Sequence, residues 1–243
     1  MARTRSESEH PAPAVPPLKL SEVFESLQGE GPSAGEPCVF VRLATCNLRC
    51  SWCDTRYTWD WQSYDYDTEV KLESASEVSA QLSSARTRRL VLTGGEPLLQ
   101  QPALLELLSR VPKTVFVEVE TNGTIAPRPD LIERVDQWNV SLKLSNGGDA
   151  ERLRIKPAAL RVLRDTDSAW LKLVIRGELD LAEAEAVVGL TGWPRERVML
   201  MPQAQNRQEL AERSPDVAAA CVATGYRFSP RLHLELFDGR RGT

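Results

Sequence analysis

A chain of 243 residues, 42% hydrophobic and 26% charged, is long enough to bury one ordinary core and has the composition of a soluble globular protein. Its formal net charge of −4 excludes broad, non-specific binding to nucleic acid, yet leaves room for a small anionic substrate in a local pocket of opposite sign. No apolar stretch approaches the ~20 residues that span a bilayer, and the N-terminus lacks the apolar core of a secretory signal, so a reducing cytoplasm is the expected setting.

Residues 1–17 are polar, then proline-rich (Pro11, Pro13, Pro16, Pro17), with neither a helical nor a strand period. They predict a disordered N-terminal tail ahead of one domain over 18–243. The apolar run 39–43 predicts a short strand leading into three closely spaced cysteines. Segment 56–74 is rich in aromatics and acids without periodicity and predicts an irregular loop. A helix is expected over 76–84, with Ser76 as its N-cap. The run 90–92 then stops at Thr93-Gly94-Gly95, the pattern of a buried strand ending in a glycine loop.

Residues 102–110 predict a helix whose apolar face is Leu104, Leu105, Leu107 and Leu108. Strands are expected over 114–119, 140–144, 170–175 and 198–201. Helices are expected over 129–135, 158–164, 181–190 and 208–224, the last interrupted at Pro215. A final extended segment is expected over 232–237. Strand and helix alternate about six times with crossovers of helical length, the signature of a parallel α/β sheet. Polar and glycine residues recur at the C-terminal ends of the strands, where barrel-like α/β folds build their sites. Six units are too few for a closed eight-stranded barrel. The expected fold is therefore a partial TIM-like barrel of about six parallel strands, with an irregular cysteine loop after the first.

The chain has five cysteines, and Cys46, Cys50 and Cys53 fall within eight residues. In a chain without an export signal, such clustering points to metal or cluster binding and not to a disulfide frame. Zinc in a closed site and a cubane cluster both want four ligands, and no fourth is evident. Cys38 lies at the strand, Cys221 on a distant helix, His10 in the tail and His233 near the C-terminus. Either a distant Cys or His completes a zinc site, or the fourth position is left open for a ligand that takes part in a reaction.

The spacing Cys46-x3-Cys50-x2-Cys53, with the aromatic Trp52 before the last cysteine, resembles the radical S-adenosylmethionine superfamily. The loop Thr93-Gly94-Gly95-Glu96-Pro97 resembles that family's GGEP motif. The resemblance implies that the cysteines bind three irons of a [4Fe–4S] cluster and that the methionyl amine and carboxylate of S-adenosylmethionine chelate the fourth. One-electron cleavage then releases a 5′-deoxyadenosyl radical. It also implies that Trp52 packs near the adenine and that Gly94, Gly95 and Glu96 meet the methionyl amine. Glu120 and Asn122, from Glu120-Thr121-Asn122-Gly123, Ser141 and Lys143 on one strand face, and Gln203 after the sixth strand are expected to complete that site.

Ser26-Leu27-Gln28-Gly29-Glu30-Gly31, 37–42, 44–48, Cys53-Asp54-Thr55, TGGEPLLQ at 93–100 and ETNGT at 120–124 together closely resemble the 7-carboxy-7-deazaguanine synthase family. The resemblance runs from about residue 18 to 240. It implies a homodimer that converts 6-carboxy-5,6,7,8-tetrahydropterin to 7-carboxy-7-deazaguanine with loss of ammonia, toward queuosine and related deazapurines. S-adenosylmethionine acts catalytically there, magnesium assists, and an external donor such as flavodoxin or ferredoxin supplies the electron. Thr55 matches the family's magnesium ligand, with Asp54 supporting it through water or acting as a helix N-cap. Leu27, Gln28, Glu30, Thr93 and His233 are expected at the substrate, and Arg42 as a two-point fork for its carboxylate. The terminal-carboxylate role known in some relatives is not carried onto Thr243. Two other readings stand beside this one: an activase that makes a glycyl radical on a partner protein, and a non-catalytic zinc or cluster-binding module.

Overall fold

The computed structural model describes residues 15–243. Most of the expected tail lies outside the described residues; 15–17 are exposed and without regular structure. The chain opens on β1 (Leu18–Leu27), which pairs antiparallel with β2 (Pro37–Leu43) and, on its other side, with β3 (Lys71–Glu73). Between β2 and β3 run the cysteine loop and the one-turn helix α1 (Tyr66–Glu69). Helix α2 (Ala75–Leu82) and β4 (Arg89–Gly94) follow, then α3 (Gln101–Arg110), β5 (Phe116–Thr121), α4 (Pro129–Arg134) and β6 (Gln137–Val140). The chain continues through α5 (Glu151–Arg154), α6 (Pro157–Arg164), β7 (Ala169–Ile175), α7 (Glu178–Thr191) and β8 (Val198–Pro202). It ends with α8 (Arg207–Thr224), the short β9 (Arg227–Phe228) and α9 (Leu232–Phe237).

The strands form one sheet in the order β3-β1-β2-β4-β5-β6-β7-β8-β9, with β2 and β4 to β9 mutually parallel. The six expected parallel strands are β2 and β4 to β8. The sheet stays open, with β3 and β9 at its edges.

Each strand divides its residues between two faces, because side chains alternate with period two. Val39, Val41 and Leu43 of β2, Val117 and Val119 of β5, and Leu171, Leu173 and Ile175 of β7 pack into the main core against the helices. The other face carries Phe40 and Arg42, Glu118 and Glu120, Asn139, and Lys172. Helices therefore cover one face of the sheet, and the opposite face is free to build a polar site.

Four local expectations are corrected. Ser74, two residues earlier than Ser76, caps α2 in a capping box with Glu77, which satisfies two free backbone donors at once. Helix α8 runs unbroken through Pro215, which lies on its exposed side where solvent can take the carbonyl that proline frees. The strand expected over 140–144 starts and stops earlier: β6 ends at Val140, so Ser141 and Lys143 sit in the loop beyond it. Residues 232–237 are helical, not extended. Their apparent alternation serves a short helix that buries Leu234 against Ala204 and Leu210.

Candidate functional site

A cavity of about 690 Å³ opens on the polar face of the sheet, within the size range of small-molecule sites. Its walls come from the C-terminal ends of the parallel strands, the cysteine loop and the C-terminal segment. Two ends differ in chemistry, one sulfur-rich and one charged.

At the sulfur end, Cys46, Cys50 and Cys53 all line the cavity. Their loop is held from several sides. The Thr45 amide donates to Thr58 (2.6 Å), Ser51 to the Gly147 carbonyl (2.9 Å), and the Gly95 and Glu96 amides to Leu43 and Thr45 (3.0 and 2.9 Å). Thr45 has φ 74°, a left-handed backbone that costs a β-branched residue about 1–3 kcal/mol and persists only where neighbours over-determine it. The glycines explain themselves at this contact. A Cβ on Gly94 would stand 2.1 Å from the Leu43 carbonyl oxygen, and one on Gly95 2.0 Å from that of Thr45. Burial pushes the Cys46 thiol up to about 12 and the Cys50 thiol up to about 11, so these sulfurs give up their protons when a cation replaces them.

Around the sulfurs, Trp52 turns its indole N–H to Asn146 Oδ1 (3.1 Å), and the Lys143 ammonium lies 5.4 Å from its ring centre. Lys143 also donates to Ser141 Oγ (2.8 Å), so the expected pair is together although neither is in a strand. Gly94, Gly95, Glu120 and Asn122 line the cavity as expected. Glu96 and Gln203 do not. The Glu96 carboxylate is fully buried and accepts from Thr121 Oγ1 (2.8 Å) and from the Asn122 and Leu98 amides (2.7 and 3.0 Å). It ties the β4 loop to β5 and is not presented to an ammonium. The Gln203 side chain is drawn to Arg213, while its neighbours Met201 and Gln205 face the cavity.

At the charged end, Glu30 is gripped by two cations that sequence reading missed. Lys172 Nζ donates to one carboxylate oxygen and Arg231 Nε to the other (3.2 Å). Arg231 also reaches Asp54 (2.5 Å). Burial opposes ionisation of Glu30, but Lys172 and Arg231 together hold its carboxyl well below the usual carboxylate range. Asp54 is likewise lowered, the crowding around it being outweighed by Arg231. Burial lowers the pKa of His233, outweighing the opposite pull of Glu30. Glu30, Asp54 and His233 bring ligand atoms within 4.8 Å of one another, a grouping that the two cations already neutralise. Gly29 makes this possible, since a Cβ there would meet His233 Nδ1 at 2.4 Å.

Beneath lies a second acid pair. Gln28 Nε2 donates to Glu118 (2.6 Å) and Glu120 (3.1 Å), Thr93 Oγ1 donates to Glu120 (2.7 Å), and Asn139 and Arg89 reach Glu118 (2.5 and 3.1 Å). Burial and the nearby Glu120 push the Glu118 carboxyl up to about 7. Arg42 spends its Nε on Glu22 (2.7 Å), which also accepts from Tyr57 and Arg241. Leu27, Thr55 and the C-terminal stretch 239–243 complete the wall.

A 4Fe–4S single cluster domain family matches residues 27–136. The 7-carboxy-7-deazaguanine synthase of Pyrobaculum aerophilum is 39% identical over 94% of this chain and 99% of its own length. The chain belongs to the 7-carboxy-7-deazaguanine synthase family. The synthase of Hyperthermus butylicus is 37% identical over 89% of this chain and 92% of its own length. The crystal structure of QueE from Escherichia coli shares the fold, with a TM-score of 0.66 and 24% identity over 88% of this chain and 93% of that one.

For a synthase of this family, the donor set fits a [4Fe–4S] cluster. Three soft thiols face one cavity, while Cys38 packs with Phe40 and Val91 and Cys221 with the main core, away from the sulfur end. Lys172 carried a legible signal, a lone cation inside the otherwise apolar run of β7. Glu118, between two valines, had the same one. Arg231 had none.

Proposed function

We propose that this chain converts 6-carboxy-5,6,7,8-tetrahydropterin to 7-carboxy-7-deazaguanine with loss of ammonia, as a radical S-adenosylmethionine lyase of deazapurine biosynthesis. The observation that carries this reading is one cavity with three thiols at one end and a preorganised set of cations and carboxylates at the other, in a chain 39% identical to a synthase along nearly its whole length. A reduced [4Fe–4S] cluster, when bound, supplies the electron that cleaves S-adenosylmethionine to its 5′-deoxyadenosyl radical.

The chain's own residues bind and orient. The backbone of Gly94 and Gly95, with Asn122, Ser141, Lys143 and Trp52, is proposed to hold S-adenosylmethionine beside the thiols. The Arg42 guanidinium, fixed through its Nε by Glu22, keeps its two terminal amino groups for the substrate carboxylate. Glu120, oriented by Gln28 and Thr93, offers carboxylate oxygens as acceptors to the paired N–H groups of a pterin edge. Thr55 Oγ1, 3.6 Å from Cys53 Sγ, is the proposed magnesium ligand, since magnesium takes oxygen donors and keeps several waters. Thr55→Ala is expected to weaken the magnesium dependence of turnover more than S-adenosylmethionine binding; the reverse removes the assignment. The reading further includes a homodimer, a flavodoxin- or ferredoxin-type donor, no direct nucleic-acid contact and a cytoplasmic setting. No helix among the described residues is long and apolar enough to cross a membrane.

The test is anaerobic turnover of reconstituted protein with dithionite, magnesium, S-adenosylmethionine and the tetrahydropterin. Formation of the deazaguanine without stoichiometric consumption of S-adenosylmethionine is the expected result. Cleavage of S-adenosylmethionine with no deazaguanine formed overturns the substrate assignment and turns attention to a protein substrate.

A further inference from the structure

Trp59 lies in the aromatic stretch after the cysteine loop, a segment to which sequence reading assigned no chemistry. Its ring is 8% exposed, and its indole Nε1–H donates to Cys53 Sγ at 3.3 Å. That is the shortest polar contact to any of the three loop sulfurs among the described residues. The others are the Leu48 amide to Cys46 (3.5 Å), Thr55 Oγ1 to Cys53 (3.6 Å), Cys50 to Asp149 (3.8 Å) and Asn122 Nδ2 to Cys46 (3.9 Å).

The geometry around Trp59 is built. The Trp59 and Asp60 amides both donate to the Arg56 carbonyl (3.0 and 2.8 Å), and Thr45 bonds Thr58, which fixes the turn against the cysteine loop. Arg49, one residue before Cys50, donates from Nη1 to the Trp59 carbonyl (2.8 Å), and its guanidinium carbon stands 4.9 Å from the ring centre. The Arg56 guanidinium stands 5.8 Å from the same ring. Two cations on a buried indole draw electron density from it and make its N–H a better donor. A donor aimed at a cluster thiolate stabilises the more negative, reduced state and raises the reduction potential, as does positive charge close by.

We propose that Trp59 is a positioning residue acting through Cys53: its N–H···S bond, backed by Arg49 and Arg56, eases the one-electron reduction of the bound cluster from its 2+ to its 1+ state. The electron comes from the low-potential external donor already named. The inference rests on the reading that the three cysteines hold a [4Fe–4S] cluster. It makes Trp59 the tryptophan that hydrogen-bonds a cluster ligand, the indole N–H of the motif's own Trp52 going to Asn146.

The test is a potentiometric titration of the reconstituted protein, followed by the paramagnetic resonance signal of the reduced cluster. Trp59→Phe removes the N–H and keeps an aromatic ring. The variant is expected to load four irons and to be about tenfold harder to reduce, a negative shift of about 59 mV for one electron. Arg49→Gln, which leaves the indole in place, is expected to shift the potential in the same direction by less. If Trp59→Phe takes up no cluster, the benzothienylalanine analogue at position 59, isosteric but without the N–H, carries the same comparison. An unchanged or more positive potential in the loaded variant overturns the proposal. Absence of the cluster signal in the unaltered protein instead overturns the reading beneath it.

Discussion

The two ends of the cavity solve opposite electrostatic problems. At the sulfur end, burial keeps protons on Cys46 and Cys50, and the site gains negative charge when metal displaces them. At the charged end, burial works equally against Glu30, but Lys172 and Arg231 are built in and keep it ionised. One end is completed by a cofactor, the other by the fold. Substitutions at the sulfur end should therefore be read out in cofactor content, and those at the charged end in stability.

The largest effect is expected from Cys46→Ala, Cys50→Ala or Cys53→Ala. Each should abolish cluster uptake, measured as iron per chain, and turnover with it, while the fold survives because the loop is held chiefly by backbone hydrogen bonds of Thr45, Ser51, Gly95 and Glu96 that the substitutions leave in place. Intact turnover in any of them would mean that the three thiols do not hold the cluster. Next comes Lys172→Met. Removing one partner from a buried charge pair leaves the other uncompensated, which costs about 3–5 kcal/mol. Denaturant unfolding should show a loss near the lower figure, since Arg231 remains. A loss below about 1 kcal/mol would mean that Arg231 alone suffices.

Glu118 is a third case, a buried acid with weaker compensation than Glu30. Cys38, Glu120 and Arg89 are the titratable and charged groups that face it. Its folded value of about 7 lies above the ordinary 4.5, so the folded state holds the proton more tightly than the unfolded chain. The associated stability is fully present below pH 4.5 and is lost as pH rises through 7. At 1.36 kcal/mol per pH unit, that amounts to at most about 3–4 kcal/mol. Unfolding measured from pH 4.5 to 7.5 should show this decline in the parent and a flatter profile in Glu118→Gln. An equal slope in both would return Glu118 to an ordinary ion pair with Arg89. The smallest effect is expected from Arg241→Gln. Arg241 pairs with Glu22 and Glu69 at the partly exposed rim, and such pairs contribute about 0–1 kcal/mol.

The same division governs what could be read from the chain. The sulfur end was legible because its parts are contiguous: the cysteines, Trp52, Gly94 and Gly95 fall in two short loops whose spacing is itself the chemistry. Glu96 shows the limit of that reading, since a motif position can serve the loop's own geometry. The charged end is assembled from the loop after β1, from β7 and from the segment before α9, far apart in the chain, so Lys172 and Arg231 meet Glu30 only through the fold. Strand β1 escaped prediction, and β6 was expected too late in the chain, because the face turned to the cavity is polar. Glu22, Gln137 and Asn139 interrupt the apolar runs by which buried strands are recognised. Helix α9 was missed because Leu232-His-Leu-Glu-Leu-Phe alternates like a strand while only Leu234 is fully buried.

Three thiols holding a cluster with one iron left open would let S-adenosylmethionine bind that iron at the sulfur end. Nuclear-coupling resonance spectroscopy of the reduced, reconstituted protein, with S-adenosylmethionine carrying nitrogen-15 in its amino group, reads that contact. A nitrogen-15 coupling to the cluster, absent without the labelled compound, is the expected result. A well-formed cluster with no such coupling, or a tightly bound zinc ion in place of iron, would contradict it.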